Sequence, residues 1–304
     1  MANAPVRDTP THIILATDFS ARCDRAQDRA VQLAIQWNAN LTAVHALSDM
    51  ALTDDTSVQD AYRSAAMRNA ETLREELACV DGLRSSVVVE EGPVDAVVLA
   101  EAARHGADLI VTGIAGNGPL AQVLVGSTVT ALARASPVPI LVVKKKVLET
   151  NERVVVATDL SGQSGLALTL ALRWFSLWRL VLFHGFELPY RGLMDDRLDD
   201  DRHPEKAAED RVRDFVRDVA GEDAAARFHV VVRRGDPVIG LQVLTNQADT
   251  DLVIATTHGR TGPLRALIGS VASRMLETVP CDVLIVPSRE VRGDPDVAGG
   301  TGPG

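Results

Sequence analysis

Aromatic residues are scarce in this 304-residue chain, at 4%, and only three cysteines occur. With so few rings, a core has to be packed mainly from Val, Leu, Ile and Ala. The hydrophobic share of 46% is still that of a globular protein and excludes wholesale disorder. Cys23, Cys79 and Cys281 are odd in number and lack metal-ligand spacing, so reduced, buried thiols are expected. No stretch approaches the roughly 20 apolar residues of a membrane span. Met1 to Pro10 lacks the basic-then-apolar layout of a signal peptide. Positive charge is short as well: 31 Lys and Arg against 41 Asp and Glu leave a formal charge of −10. That deficit argues against nucleic acid, whose phosphates need a basic face, and against an anionic membrane surface. A soluble, cytoplasmic chain is the expectation.

Several catalytic signatures are missing too. No G-x-x-x-x-G-K-[ST] occurs, so a P-loop is absent. The first strand runs into Asp-Phe-Ser rather than G-x-G-x-x-G, which speaks against a dinucleotide-binding Rossmann domain. Zinc hydrolysis, thiol redox and esterase chemistry lack H-E-x-x-H, C-x-x-C and G-x-S-x-G. Nothing supplies an evident water-positioning base or arginine finger for fast phosphoryl transfer. Binding is better supported than catalysis.

What the chain has is a copy of itself. Residues 12–20 read HIILATDFS and residues 153–161 read RVVVATDLS. DLIV at 108–111 recurs as DLVI at 251–254, and Gly116 and Gly126-Ser127 recur 143 residues later as Gly259 and Gly269-Ser270. From Asp18 to Asp159 the offset is 141, so small insertions lie between. Ordered self-similarity of this kind is a duplication. Domain one is placed at 1–149 and domain two at 150–290, with 291–304, rich in Gly and Pro, a disordered tail. Lys144-Lys145-Lys146 to Glu152 suits a short polar linker. Residues 191–215, dense in Asp and Arg, suit a variable loop running into a charged helix face.

Each copy alternates apolar runs with segments of helical period. Strands are predicted near 12–17, 41–46, 86–90, 108–113 and 139–144, and again near 153–158, 180–185, 228–233, 251–256 and 282–287. Ala26, Ala30, Leu33 and Trp37 share one helix face, with Ser20 as the expected N-cap. Further helices fit 58–79, 93–105 and 125–135. The fold class is α/β: two doubly wound, parallel, five-stranded sheets with helices on both faces. In such sheets ligands bind beyond the C-terminal strand ends, where strand order reverses. Ala16-Thr17-Asp18 and its twin Ala157-Thr158-Asp159 fall there, as does the loop after each fourth strand. Glycines in that loop let backbone N–H groups approach an anion, and Gly126-Ser127 should open a helix with its positive dipole end outward.

Gly113, Gly116, Gly126 and Ser127 reproduce the spacing Gly, two residues, Gly, nine residues, Gly-Ser/Thr after a strand. In this the chain resembles the universal stress protein family, as a tandem, two-domain member. Copy two matches with Gly259, Gly269 and Ser270 but carries Thr256 at the first glycine position. The resemblance implies an adenine nucleotide alpha hydrolase-like fold that binds ATP with Mg²⁺. It implies that Asp18 and Ala46 line an adenine pocket, with Ala16 and Thr17 beside them. Thr112, Gly113, Gly116, Gly126, Ser127 and Thr128 would meet ribose and phosphates. The copy-two counterparts are Asp159, Gly185, Ala255, Thr256, Gly259, Gly269, Ser270 and Val271. It also implies an intrachain pseudo-dimer through the fifth strands, a homodimer, and a protein partner the sequence does not name.

Plainer roles stand beside these. Asp18 and Asp159 suit helix caps, as do Ser127 and Ser270, and His45 and His184 suit packed strand-end histidines. Three functions stay open: a nucleotide-responsive stress or signalling module, a nucleotide-free scaffold of the same fold, and a slow ATPase. Thr256 would hinder close approach in copy two, although Arg260 and Arg265 stand there against Asn117 and Gln122 in copy one. Geometry is expected to outweigh charge, making copy one the tighter site.

Overall fold

A computed structural model describes residues 9–47, 55–114, 126–147, 153–187, 204–257 and 269–288. The first half runs β1 (His12–Ala16), α1 (Asp24–Trp37), β2 (Asn40–Leu47), α2 (Thr56–Ala78), β3 (Arg84–Glu91), α3 (Val94–His105), β4 (Leu109–Gly113), α4 (Ser127–Ala135) and β5 (Ile140–Val143). The second runs β6 (Arg153–Ala157), α5 (Gly162–Trp174), β7 (Arg179–Phe186), α6 (Pro204–Ala220), α7 (Glu222–Ala225), β8 (Phe228–Arg234), α8 (Pro237–Gln247), β9 (Leu252–Thr256), α9 (Ser270–Thr278) and β10 (Asp282–Val286). All ten predicted strands are present. The short helix α7 was not foreseen, and the expected tail at 291–304 lies outside the described residues.

Local chemistry sets the element boundaries. Asp55 begins α2 by accepting from Ser57 N, and Asp236 begins α8 by accepting from Val238 N and Ile239 N, with Pro237 in the first turn. Gly106 ends α3 in the left-handed region at φ 59°. Ser20 does not cap α1. The helix starts three residues later than that role requires, with Cys23 at its cap position and no side-chain cap bond. The Ser20 N–H is already held by Asp18 Oδ1 at 2.8 Å, and Ser20 O accepts from Cys23 N in a turn.

Within each half the strands are parallel, in the orders 3-2-1-4-5 and 10-9-6-7-8, and β5 pairs antiparallel with β10. The two five-stranded sheets are therefore one ten-stranded sheet. Leu141 lies opposite Leu284, flanked by Ile140 opposite Ile285 and Val142 opposite Val283. This is the intrachain pairing the sequence led us to expect. One layer of core packs α1, α2, α5 and α6 against the sheet; the other packs α3, α4, α8 and α9. In the first layer Trp37 of α1 meets Trp174 and Phe175, with ring centroids 5.7 and 5.8 Å away, and Phe175 meets Trp178 at 5.1 Å. All three tryptophans of the chain thus stand where the halves join.

Lys144 and Lys145 are part of that junction rather than of a solvated linker. Lys144 is buried, and its Nζ donates to Leu276 O and Val279 O at the end of α9, at 2.6 and 2.7 Å. Its backbone N–H and that of Lys145 donate to Asp282 Oδ1, while Asp282 Oδ2 accepts from Arg29 Nε at 3.0 Å. Lys145 Nζ reaches Thr250 O at 2.8 Å. The polar tripeptide is drawn in because two helix-end carbonyls and a buried carboxylate need donors. Nor are all the thiols buried: Cys281 is, Cys23 is partly so, and Cys79 is exposed at the end of α2.

Two outcomes follow from this junction. The β5 and β10 amides should be among the slowest to exchange with deuterium. Leu141→Pro should cost at least about 3 kcal/mol, through a lost ladder donor and a core defect. Rapid exchange of both strands in the native protein would contradict the pairing. The second outcome concerns alkaline pH. Burial pushes the Cys281 thiol up from 9.0 to about 12 and the Cys23 thiol up to about 11. A raised thiol pKa gives stability that is full below 9.0 and is lost as pH rises to those values. Burial pulls Lys144 from 10.5 down to about 8, against Cys281 and Asp282, so its penalty is full below 8 and is relieved by 10.5. Urea stability should therefore rise slightly from pH 8 to 9 and then fall, because above 9 the loss from two thiols outweighs the relief of one ammonium group.

Candidate functional site

In each half the strand order reverses beside the first strand, between β1 and β4 and between β6 and β9. The predicted residues gather at these switch points. Ala16 ends β1 beside Val44 of β2 and Thr112 of β4. Thr112 is buried, Gly113 ends β4, and Ala46 stands near the end of β2. Gly126 occupies the N-cap position of α4 with no side-chain cap bond, and Ser127 and Thr128 begin the helix. In the second half Ala255 and Thr256 end β9, Gly185 lies in β7, and Gly269 precedes Ser270 and Val271 of α9, again without a side-chain cap. Ser127 and Ser270 are thus not caps: a glycine holds the cap position, and each serine is one residue inside its helix. Gly116 and Gly259 lie outside the described residues, as do Asn117, Gln122, Arg260 and Arg265.

The turn after the first strand is the same in both halves. Thr17 N donates to Val44 O at 3.0 Å, and Thr158 N to Phe183 O at 2.9 Å, which ties each turn to the neighbouring strand. Thr17 Oγ1 accepts from Phe19 N, and Thr158 Oγ1 from Leu160 N, each at 3.0 Å. Phe19 and Leu160 sit at φ 59° and 61°, a left-handed conformation that costs a bulky residue about 1–3 kcal/mol. Asp18 Oδ1 accepts from Ser20 N and the Cys23 thiol; Asp159 Oδ1 accepts from Ser161 N and Ser161 Oγ. Neither aspartate caps a helix directly: Ser161 caps α5, and Asp18 closes a turn ahead of α1. Burial pushes the Asp18 carboxyl up, but hydrogen bonds from Ser20 and Cys23 outweigh it and hold it below the usual carboxylate range. Asp18 is thus an anion at neutral pH.

His45 and His184 are the packed strand-end histidines expected. Their Nδ1 atoms lie 2.9 Å from Thr17 O and Thr158 O, and a carbonyl can only accept, so Nδ1 carries the proton. The Phe19 ring lies 4.4 Å from the His45 ring. Sequence reasoning missed Phe19 and Leu160, although an apolar residue between Asp and Ser, repeated in both copies, was the available signal. Among the described residues no group of three or more His, Cys, Asp or Glu could hold a metal, and no helix is long and apolar enough to cross a membrane.

The two sites differ in how tightly their own chain closes on them. A Cβ built on Gly185 would lie 2.6 Å from Cα and Cβ of Pro237, so the first turn of α8 already fills that space. The equivalent Ala46 carries its methyl. Gly113 has Arg22 O 3.3 Å from where a Cβ would be, so part of its reason for being glycine is the approach of the chain entering α1. The β1·β4 ladder reaches Ala16 and Thr112, whereas the β6·β9 ladder stops at Val156 and Ile254, one pair sooner. Asp236 and Arg274 also join α8 to α9 by an ion pair at 2.7 Å, whose equivalents in the first half are Pro93 and Ala131.

These features define a duplicated, doubly wound α/β protein with a candidate ligand site at each switch point. The sequence model of the Universal stress protein family matches residues 10–144 and again residues 150–287. The chain belongs to that family, as a tandem member. A Staphylococcus saprophyticus protein assigned to the same family is 30% identical over 153 residues, covering 48% of this chain and 91% of that protein. Among solved structures, a functionally unknown protein of Pseudomonas aeruginosa is 19% identical, covers 92% of this chain and 94% of its own, and superposes with a TM-score of 0.67. A universal stress protein of Archaeoglobus fulgidus, 16% identical, covers 91% and 98% with a TM-score of 0.66. These two likenesses establish the tandem fold.

The glycine contacts set an order of stability effects. Gly185→Ala should destabilise the protein by about 1–3 kcal/mol, because a backbone atom of Pro237 has to move. Gly113→Ala should cost less than about 1 kcal/mol, since its contact needs a shift of only a few tenths of an ångström. Thermal unfolding of the two variants checks this, and an inverted order would show the Pro237 contact to be looser than described.

Proposed function

We propose that this chain binds an adenine nucleotide, ATP with Mg²⁺, and acts in the cytoplasm as a nucleotide-responsive stress or signalling module. The observation that carries this reading is the start of α4. Gly126 leaves the first turn of that helix without a side-chain cap, at the switch point where Asp18, Thr112 and Gly113 also stand. Unpaired N–H groups and the helix dipole favour phosphate there. Asp18, held ionised, offers an acceptor for the amino group of adenine or for a ribose hydroxyl, and Ala46 and Ala16 offer apolar flanks. Thr17, Ser127 and Thr128 would complete the cradle with Gly116 of the intervening loop. No side chain in this set has the role of a water-activating base, so binding rather than turnover is the function proposed.

The same reading ranks the sites. Asp159, Gly185, Ala255, Thr256, Gly259, Gly269, Ser270 and Val271 form the second candidate site. There Pro237 fills the space beside Gly185, and Thr256 puts a branched side chain at the first glycine position. The first half is therefore proposed as the tighter site. A homodimer or a protein partner would use surfaces other than β5 and β10, which already pair with each other.

Nucleotide released by denaturing the purified protein, identified by chromatography, is the first check. Calorimetry with ATP and Mg²⁺ should then show Gly126→Val abolishing the tight site with the fold intact. Asp18→Ala should weaken it by about 1–3 kcal/mol. Unchanged affinity in both variants would remove this pocket from consideration, and loss of the tight site only on Gly269→Val would reverse the ranking. A protein that neither carries nor takes up nucleotide would be the scaffold form of the fold.

A further inference from the structure

The junction between the halves has an approximate two-fold axis through the facing pair Leu141 and Leu284, which are 143 residues apart in the sequence. The strand ladder obeys that symmetry, and the charges do not. On one side of the axis stand Arg29, Asp282, Lys144 and Lys145, with Arg25 Nη1 donating to Lys144 O at 2.8 Å. The positions related to Asp282, Lys144 and Lys145 by the same offset are Pro139, Pro287 and Ser288. Those related to Arg25 and Arg29 by the offset of 141 that joins the Ala-Thr-Asp turns are Leu166 and Leu170. Arg29, Asp282 and Lys144 are exposed by only 6%, 1% and 7%, so water does little to solvate them.

We propose that this one-sided buried charge cluster dictates which domains pair: a first domain accepts only a second domain across β5 and β10, and the chain closes on itself. The argument is one of stranded charges. If two first domains met through β5, each Arg29 would face Pro139 instead of a carboxylate, and each Lys144 would lose the adjacent Asp282. If two second domains met through β10, each Asp282 would face Leu170 with no cation, and would lose the two N–H donors of Lys144 and Lys145. Removing one partner from a buried pair is far more damaging than replacing both, so each like-with-like pairing carries the penalty twice. The strand ladders alone would tolerate all three pairings, because Ile140-Leu141-Val142 and Val283-Leu284-Ile285 are near equivalents. Buried polar groups that select partner and register while adding little net affinity have precedent in coiled coils.

The test uses the full chain with a protease site inserted between Val147 and Arg153, cleaved after folding so that only the junction holds the halves. Isotope-labelled and unlabelled nicked samples are mixed at a urea concentration at which halves exchange. Native mass spectrometry then identifies the pairs by mass. Wild-type halves should exchange yet form unlike pairs only, with like pairs at least about tenfold below the statistical share. Arg29→Leu with Asp282→Asn, which keeps an acceptor for the Lys144 and Lys145 amides, should bring like pairs towards the statistical half. Arg29→Leu alone should already allow pairs of first domains, and Arg29→Lys, which keeps the charge, should not. Like pairs near the statistical share in the wild type, or unlike pairs alone in both leucine variants, would overturn the proposal. Emission from the three tryptophans at the junction reports in each variant that the paired state has formed.

Discussion

A parallel sheet is stable only when both faces are covered and its last strand is not left open to pair at random. Here the antiparallel contact between β5 and β10 meets the second condition for both halves at once, and other features depend on it. It makes β5 and β10 central strands, which is why Ile140–Val143 and Asp282–Val286 are buried on both sides. It sets α1 beside α5, so their ends share an aromatic cluster instead of exposing Trp37 and Trp174. Because the contact is antiparallel while each half is parallel, the carboxyl ends of the two sets of strands point in opposite directions. The two switch points therefore open at opposite ends of one sheet, and among the described residues neither site borrows from the other.

Most of this architecture was legible in the sequence, for a physical reason. Strands buried on both faces read as continuous Val, Leu and Ile runs, and the duplication allowed each run to be checked against its twin. The helix faces, the switch points and the pairing of the fifth strands came from the same signals. The polar details did not. Ser20, Ser127 and Ser270 all belong to a residue type that caps helices, yet none does. In the first case α1 begins three residues further on, with Cys23 at the cap position, and in the others glycine took the cap position. Competition of this kind between neighbouring donors and acceptors is decided by geometry that a propensity does not contain. Lys144 and Lys145 read as a solvated tripeptide because nothing near them in sequence needs a cation. Their partners, Asp282, Leu276, Val279 and Thr250, lie more than a hundred residues away.

The site residues illustrate why a motif and its cause have to be kept apart. Gly113 matches a nucleotide signature, but its missing Cβ also admits Arg22 O, and Gly185 is glycine because Pro237 leaves no room for a methyl group. Packing alone would explain both. What packing does not explain is a pair of turns held in a strained backbone at the same place in both halves. Phe19 and Leu160 pack partly against the core, but glycine would hold the same backbone without the strain. Each is anchored by a threonine hydroxyl and followed by a serine whose N–H an aspartate fixes. The effect is to hold a carboxylate, Asp18 or Asp159, at the mouth of the switch point. Strain kept through divergence of the surrounding sequence fits a ligand-facing turn better than a simple connection.

Duplication begins with two identical surfaces, and identical surfaces cannot tell self from twin. Divergence on the faces that carry the candidate sites changes what each half can hold, but only divergence across the axis of the junction changes which half meets which. That is where Arg29, Asp282 and Lys144 stand. Lys144 adds one further asymmetry. Its ammonium group satisfies carbonyls at the C-terminal end of α9, whose N-terminal end begins at Gly269 beside the second switch point. A Pro stands where α4 would need the matching lysine, so that helix has no equivalent tie across the junction. A rigid helix of nine residues thus links the second switch point to the domain interface, while the first switch point lacks this link. The half whose pocket is the more crowded is the half whose switch-point helix is tied across the junction, and both properties come from the same divergence of one repeated domain.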